Sequence, residues 1–474
     1  MRKKFIYNII FSVANIIFPV ISFPYASRIL GPAGIGKVQM AFSFAQYFSL
    51  IAAFGIPVYG IQKIAKVKQD KEKLYTTLTE LFCINFIASV LISVVYLAVI
   101  FTVPYFSSSS VSYLIAGSIV LTGCMNIDWF YAGLENFKSI TIRSVGIKIL
   151  SLWGLYFWVK RPSDYEYYLI ITLFAYLGNY IAGFFIYVKK INLTTGIHIK
   201  QHIRPLFFVV STMIVASIYT MLDTVMLGFF SDDTSVGLYT AAVKLTRIVI
   251  PVITAFGTAM IPRFAEHFGN KDVLKVKELI HTSFRIIILL AIPAGFGLYL
   301  LSNEFILVFS GEQFSAAANA MKVLSALPLV VGMGHLFIFQ IMAPAEKNRE
   351  MLWSAIIGTF VFIVLNFLLV PVFLEMGEAI VTLITELVVS LTYYYFLRKT
   401  ICFDFDKKTA WQSVISSVIF IPLVLLIRSF HLTPILTLLT GVLVCIIAYG
   451  SMQLFVFKNK MLLSQYQHLK KIGK

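Results

Sequence analysis

The chain has 474 residues, of which 59% are hydrophobic and 13% charged, with a formal net charge of +17. A soluble domain carries roughly 45–50% apolar and about 25% charged residues, so a soluble globular fold is excluded; no interior of this size hides that much Phe, Ile, Leu and Val. The hydrophobicity comes in blocks of about twenty residues, the length at which a helix crosses roughly 30 Å of hydrocarbon, which also excludes a barrel of short alternating strands.

In chain order the blocks predict 14 transmembrane helices, near 5–27, 38–60, 74–101, 111–133, 145–159, 167–188, 207–230, 236–261, 284–303, 316–342, 353–374, 379–397, 411–428 and 434–456. The first resembles a secretory signal, with Arg2, Lys3 and Lys4 before an apolar run. It is too long for a signal core, and Pro24-Tyr25 is a poor cleavage site. With the N-terminus in the cytoplasm, 30 of the 39 Lys and Arg fall at the two termini and in the even-numbered connections. The odd-numbered connections hold only Arg28, Lys37, Lys160, Arg161 and Arg428, and the spans hold Lys148, Lys244, Arg247 and Lys322. This sorting follows the positive-inside rule and puts both termini in the cytoplasm. The basic excess is therefore an orientation and lipid-headgroup signal, not a nucleic-acid surface.

No connection is long enough for a folded domain. Asp272 to Ile280 mixes Val273, Val276 and Leu279 with Lys275, Lys277 and Glu278, the pattern of a short amphipathic helix on the membrane surface. The cysteines, Cys83, Cys124, Cys402 and Cys445, are scattered and form no CxxC pair, so they read as small buried hydrophobes.

The chain repeats itself. Leu30-Gly31, Ile35-Gly36 and Ala53-Phe54-Gly55 return as Leu227-Gly228, Val236-Gly237 and Ala255-Phe256-Gly257. Six spans per copy make a parallel repeat: two six-helix lobes related by an axis along the membrane normal. The predicted domains are an N-terminal lobe over 1–190, a cytoplasmic connection over 191–206, a C-terminal lobe over 207–400, two extra helices over 401–457 and a basic tail over 458–474.

Enzyme signatures are absent: there is no P-loop, HExxH, GxSxG or suitable GxGxxG, and no large extramembrane loop to carry acid–base chemistry. His198 and His202 have metal-ligand spacing but lie in a basic connection without a nearby carboxylate, which reads as a solvated helix face. What remains are polar residues inside apolar blocks, each costly in lipid. In the first span Asn8, Ser12, Asn15, Pro19 and Ser22 share one face; in the seventh, Thr212, Ala216 and Tyr219 hold corresponding places, with Thr220 and Asp223 beyond. Such faces serve either helix-to-helix hydrogen bonding or the lining of a cavity. Lys244 and Arg247 lie three residues apart, Lys148 and Lys322 sit well inside spans, and Arg28 and Lys37 flank the first turn. A cavity lined by these cations attracts an anion such as phosphate. Internal pairing with Asp128, Asp223 or Glu386 is the alternative. Asp223, Asn366, Thr382 and Glu386 offer oxygens for a proton or a small cation.

The segment Asp128-Trp129-Phe130-Tyr131-Ala132-Gly133-Leu134-Glu135-Asn136-Phe137-Lys138, running on to Thr141-Ile142-Arg143, resembles the signature of bacterial O-antigen-type polysaccharide repeat-unit flippases. So do Phe23-Pro24-Tyr25 to Pro32 with Gly34 and Gly36, Leu222-Asp223 with Leu227-Gly228, Val236-Gly237-Leu238-Tyr239, and Ile261-Pro262-Arg263. The resemblance covers essentially the whole chain. It implies a V-shaped, multidrug-exporter-like pair of lobes with a cationic central cavity, no enzyme activity and no cofactor. The implied substrate is an undecaprenyl-pyrophosphate-linked oligosaccharide, carried by alternating access across the inner membrane with H⁺ or Na⁺ as a coupling ion. Implied partners are membrane lipids and the polysaccharide polymerase and chain-length machinery, with the chain itself working as a monomer.

By analogy with related lipid II flippases, Arg28, Lys37 and Arg247 are the positions for the diphosphate, and Lys148, Lys244 and Lys322 extend the set. Tyr25, Tyr47 and Trp129 are candidates to stack on sugars. Asp223, Asn366 and Glu386 fit loosely the place of a sodium site, and Val370 offers no oxygen where an acid would help. Alternatives are a lipid II flippase, a drug/cation antiporter on the same fold, and a membrane polysaccharide polymerase or ligase.

Overall fold

A computed structural model describes residues 2–191, 198–399 and 405–459. Outside the described residues lie the middle of the predicted connection, Cys402 and most of the basic tail; the side chains of Asn8, Thr212, Ala216, Tyr219 and Thr220 are likewise outside the description. Every regular element among the described residues is helical. In hydrocarbon an unpaired backbone group finds no water, and a helix satisfies its own N–H and C=O groups.

Among the described residues, eleven helices are long and apolar enough to cross a bilayer. Two of them merge neighbouring predicted spans. Arg2–Ala52 contains one non-helical residue, Gly31, at φ 68° and ψ 178°. Glycine alone adopts that backbone without strain, and Pro32 follows it. Asn348–Arg398 is broken at Leu374, with φ 51° and ψ −128°, three residues after Pro371. A third region, Lys200–Met221 followed by Asp223–Phe230, is divided at Leu222.

Two other predictions change. The second span stops at Ala52, and Ile56–Val67 is a separate helix whose N-cap, Gly55, lies at φ 76°. The surface helix expected over 272–280 is instead the first turns of Val273–Leu300. Asp272 caps it by accepting the Lys275 N–H at 3.1 Å, so the amphipathic turns and the apolar span form one rod. Asp70 caps Lys71–Thr102 in the same way through the Glu72 and Lys73 amides. The Lys73 amide and ammonium hold the Asp70 carboxyl below its ordinary range.

The chain divides into two compact units, Met1–Gly237 and Leu238–Lys474. In the first, Ile56, Ile64, Leu78, Leu81, Trp129 and Phe130 form one core. A second cluster gathers around Phe44, with the rings of Phe106 and Phe48 at 4.8 and 5.0 Å. In the second unit, Lys407–Ser429 and Pro434–Ser451 are bound to the helices before them. Arg428 makes a two-pronged bond to Glu304 at 2.7 and 2.8 Å and reaches the Leu300 carbonyl at 2.8 Å. The Tyr449 hydroxyl donates to the Leu289 carbonyl at 3.0 Å. The outer surface is rich in apolar side chains such as Phe101, Phe360 and Phe455, as a lipid-facing wall requires.

Candidate functional site

The repeat seen in the glycines has a physical basis. A Cβ on Gly36 would stand 1.7 Å from the Asp233 carbonyl oxygen, and one on Gly237 would stand 2.0 Å from the Pro32 carbonyl oxygen. Pro32 and Gly36 in one copy therefore meet Asp233 and Gly237 in the other, each glycine on the other copy's carbonyl. The two backbones approach so closely that only Cα hydrogens fit. Downstream, the same turn recurs in each copy. Asn136 N–H donates to Tyr131 O at 2.9 Å and Glu135 N–H to Ala132 O at 2.9 Å; Lys347 N–H donates to Met342 O at 2.9 Å and Glu346 N–H to Ala343 O at 3.1 Å. Glu135 and Glu346 both take φ 57° there.

The predicted cations occupy varied surroundings. Arg28 is exposed and donates to the Pro24 carbonyl at 3.1 Å. Lys37 sits 5.1 Å over the Tyr165 ring and within electrostatic reach of Asp233. Lys148 bonds Asn15 and lies 5.8 Å over Phe11, so it joins the polar strip of the first helix, where Ser12, Asn15 and Pro19 are exposed and Ser22 is buried. Lys244 is half-buried and Arg247 exposed, one turn apart on Asp233–Gly269. Lys322 contacts Asn319 at 3.5 Å, at the end of Ala317–Leu324.

The aromatic candidates are engaged by the fold. Tyr25 donates its hydroxyl to the Val159 carbonyl at 3.1 Å. Trp129 is 3% exposed and packed over Gly60, where a Cβ would meet its ring at 2.4 Å. Its other edge, with Phe11, Asn126, Asp128 and Thr141, lines a cavity of about 260 Å³.

Among the predicted oxygens, Asp223 is buried and accepts the Thr224 N–H at 2.7 Å. Asn366 is fully buried; its Nδ2 donates to Phe362 O at 3.0 Å, while its Oδ1 has no hydrogen-bond partner. Thr382 pairs with the Tyr239 hydroxyl at 2.9 Å, and Ser390, two turns on, bonds Val330 O at 3.1 Å. Half-buried Glu386 lies between them on the same helical face.

Two polar networks escaped the sequence reading. Asp128 is bonded to Arg143 and, at 2.9 Å, to Asn179 Nδ2, while Arg143 Nε donates to Asn179 Oδ1 at 2.7 Å and its guanidinium lies 4.8 Å over Tyr131. The partner of Asp128 is thus Arg143, not one of the candidate cations; the cue was an ionisable residue at each end of the quoted signature. The second network corrects the reading of His202 as solvated. It is fully buried, with Nε2 2.8 Å from Glu80 and Nδ1 2.8 Å from the Tyr59 hydroxyl. Glu80 also accepts the His198 N–H at 2.8 Å. The carboxylate missing near His202 in sequence is supplied from Lys71–Thr102.

The all-helical fold is shared with a flippase and a multidrug transporter of known structure. It is similar to a lipid II flippase in an inward closed conformation, with a TM-score of 0.75 at 15% identity over 96% of this chain and 100% of that one. It is also similar to an inward-facing multidrug resistance transporter of the MATE family, with a TM-score of 0.65 at 14% identity over 81% and 93%. More narrowly, the chain belongs to the family described as polysaccharide biosynthesis protein, which matches residues 1–268, and the MatE family matches 209–372. A putative O-antigen transporter of Escherichia coli K12 is 24% identical over 84% of this chain and 97% of its own length.

Proposed function

We propose that this chain flips undecaprenyl-pyrophosphate-linked oligosaccharide repeat units from the cytoplasmic to the outer leaflet of the inner membrane. The observation that carries the reading is the family match, together with the near full-length likeness to the E. coli putative O-antigen transporter. The protein is a transporter and not an enzyme in this reading. Its chain crosses the bilayer 14 times: the breaks at Gly31 and Leu374 each separate two crossings, and Lys200–Phe230 adds another. Both termini then lie in the cytoplasm, as the Lys and Arg sorting demands.

The diphosphate carries the recognisable charge of the substrate, and Arg28, Lys244 and Arg247 are the cations proposed to neutralise it. The exposed strip of Ser12 and Asn15, reaching Lys148, suits sugar hydroxyls, which exchange hydrogen bonds with such groups at little cost. The polyprenyl tail is apolar and stays in lipid throughout. Alternating exposure of the cationic positions to the two sides completes the transfer.

The test is complementation of surface polysaccharide assembly. Arg28→Ala, Lys244→Ala and Arg247→Ala, each inserted at wild-type levels, are expected to lose at least tenfold in polymer output. Full activity in all three removes the cationic reading. Rescue of cell-wall synthesis, in place of surface polysaccharide, shifts the substrate to lipid II, which the fold likeness also accommodates.

A further inference from the structure

One group of polar atoms in the second unit has no part in the reading above. The α-helix Leu327–His335 passes into a π-helix over Leu336–Met342, a winding found frequently at functional sites. Two side chains of this segment converge on Gly257 of Asp233–Gly269. A Cβ there would meet Gln340 Nε2 at 2.3 Å and His335 Nδ1 at 3.1 Å. Gln340 is fully buried, and neither its Oε1 nor its Nε2 has a hydrogen-bond partner; His335 Nδ1 is buried and unpartnered too. A carboxamide is not buried with its whole bonding capacity unused unless something else completes it.

The other ring nitrogen fixes the tautomer. The Thr258 hydroxyl donates to Thr254 O at 3.1 Å, so towards His335 Nε2, at 3.3 Å, it accepts. The hydrogen of the neutral ring then sits on Nε2, and Nδ1 presents a bare lone pair to the buried side. Nε2 and Thr258 lie on the exposed side, so the ring joins a reachable edge to a closed one.

We propose that His335, Gln340 and Gly257 form a proton-binding site inside the membrane-spanning part of the second unit. A hydronium ion that reaches Nδ1 as the amide swings aside gives its proton to the lone pair there and leaves as water. The imidazolium keeps Nε2–H on Thr258, and its new Nδ1–H donates to Gln340 Oε1, which a half-turn of the carboxamide presents. In the neutral state the amide turns its Nε2 towards Gly257 and bonds to neither side. Gly257 leaves the space in which the amide turns. Ionisable groups on the elements around this segment include Glu378, Glu386, Tyr393 and Tyr394 on Asn348–Arg398, Glu278, His281 and Arg285 on Val273–Leu300, and Lys244, Arg247 and Arg263 on Asp233–Gly269. Arg285 is taken up by Asp406 at 2.6 Å. Of the rest, the carboxylates favour the imidazolium and the cations oppose it.

The proposal extends the transport reading by naming a coupling proton, and its test needs no substrate. Protein labelled with ¹⁵N-histidine is titrated by NMR from about pH 8.5 to about pH 5, the range in which histidine changes charge. Loss of one signal in His335→Gln assigns the residue among the seven histidines; if that variant fails to fold, the difference between wild type and Gln340→Leu assigns it instead. His335 is expected to pass from the Nε2–H tautomer to the doubly protonated ring, and Gln340→Leu to lower the midpoint by about one pH unit. A ring that never gains the second proton, or a midpoint unmoved in Gln340→Leu, overturns the proposal. Wild-type proteoliposomes that flip no lipid-linked sugar would count against the transport reading alone, leaving the titration to stand or fall by itself.

Discussion

The turn at Ala132–Asn136 in the first unit and the turn at Ala343–Lys347 in the second are closed by the same hydrogen bonds, yet what precedes them differs. The matched bonds align Trp129 with Gln340. Each of these side chains lies over a glycine of a neighbouring helix, Trp129 over Gly60 and Gln340 over Gly257. In the first unit the slot is filled by an indole inside an apolar core, Gly133 packs on Ile64, and Glu135 bonds Lys68 at 2.7 Å. In the second the slot holds an amide with unmet bonding capacity. Beside its turn opens a cavity of about 760 Å³, lined by His267, Lys271, Asp272, Glu346 and Lys347 among others. One backbone pattern thus carries an apolar corner beside a cavity of about 260 Å³ in one copy and a polar corner beside a larger cavity in the other.

Substitutions can break this contrast, and the largest effects are expected in the first unit. Asp128→Ala leaves Arg143 buried without its carboxylate and should cost about 3–5 kcal/mol, the scale of a broken buried ion pair, seen as a steep fall in thermal stability in detergent. Trp129→Ala should cost roughly 3–5 kcal/mol by leaving a cavity over Gly60. The aligned Gln340→Leu should act in the opposite direction, gaining about 1–2 kcal/mol near pH 8 by removing an unsatisfied amide; the same sign at both positions would dissolve the contrast. Lys68→Ala should cost at most about 1 kcal/mol, because its bond to Glu135 is partly exposed.

Smallest is the effect at Asp70. Its folded carboxyl titrates below the unfolded value, so its contribution is present above the unfolded value, about pH 4, and is lost as the pH falls through the lower folded one. Wild type and Asp70→Asn should therefore differ at pH 6 and converge on acidification, as followed by unfolding curves.

Much of this was legible in the sequence because lipid imposes a simple rule: a crossing helix must be apolar for about twenty residues. The glycines of the repeat were legible too, since a backbone contact tolerates no other residue. The breaks were harder to read. Leu374 adopts positive φ where no glycine marks the place. Partnerships were hardest, since Glu80 meets His202 across 122 residues and Asp128 meets Asn179 across 51. Hydropathy reports how much a helix buries and not what it touches. The candidate substrate and ion residues were found as costly exceptions to that rule, and the rule does not say which of them act.

The crossing of Gly36 over Asp233 and Gly237 over Pro32 has a consequence for descent. After a duplication the two halves of a gene are free to drift apart. These two positions are tied to each other: a larger residue in either half strikes the main chain of the other, and no change of partner side chain can make room. The pair works as a ratchet on divergence, and a mutational library of this gene should find both codons nearly closed to change while the residues around them vary.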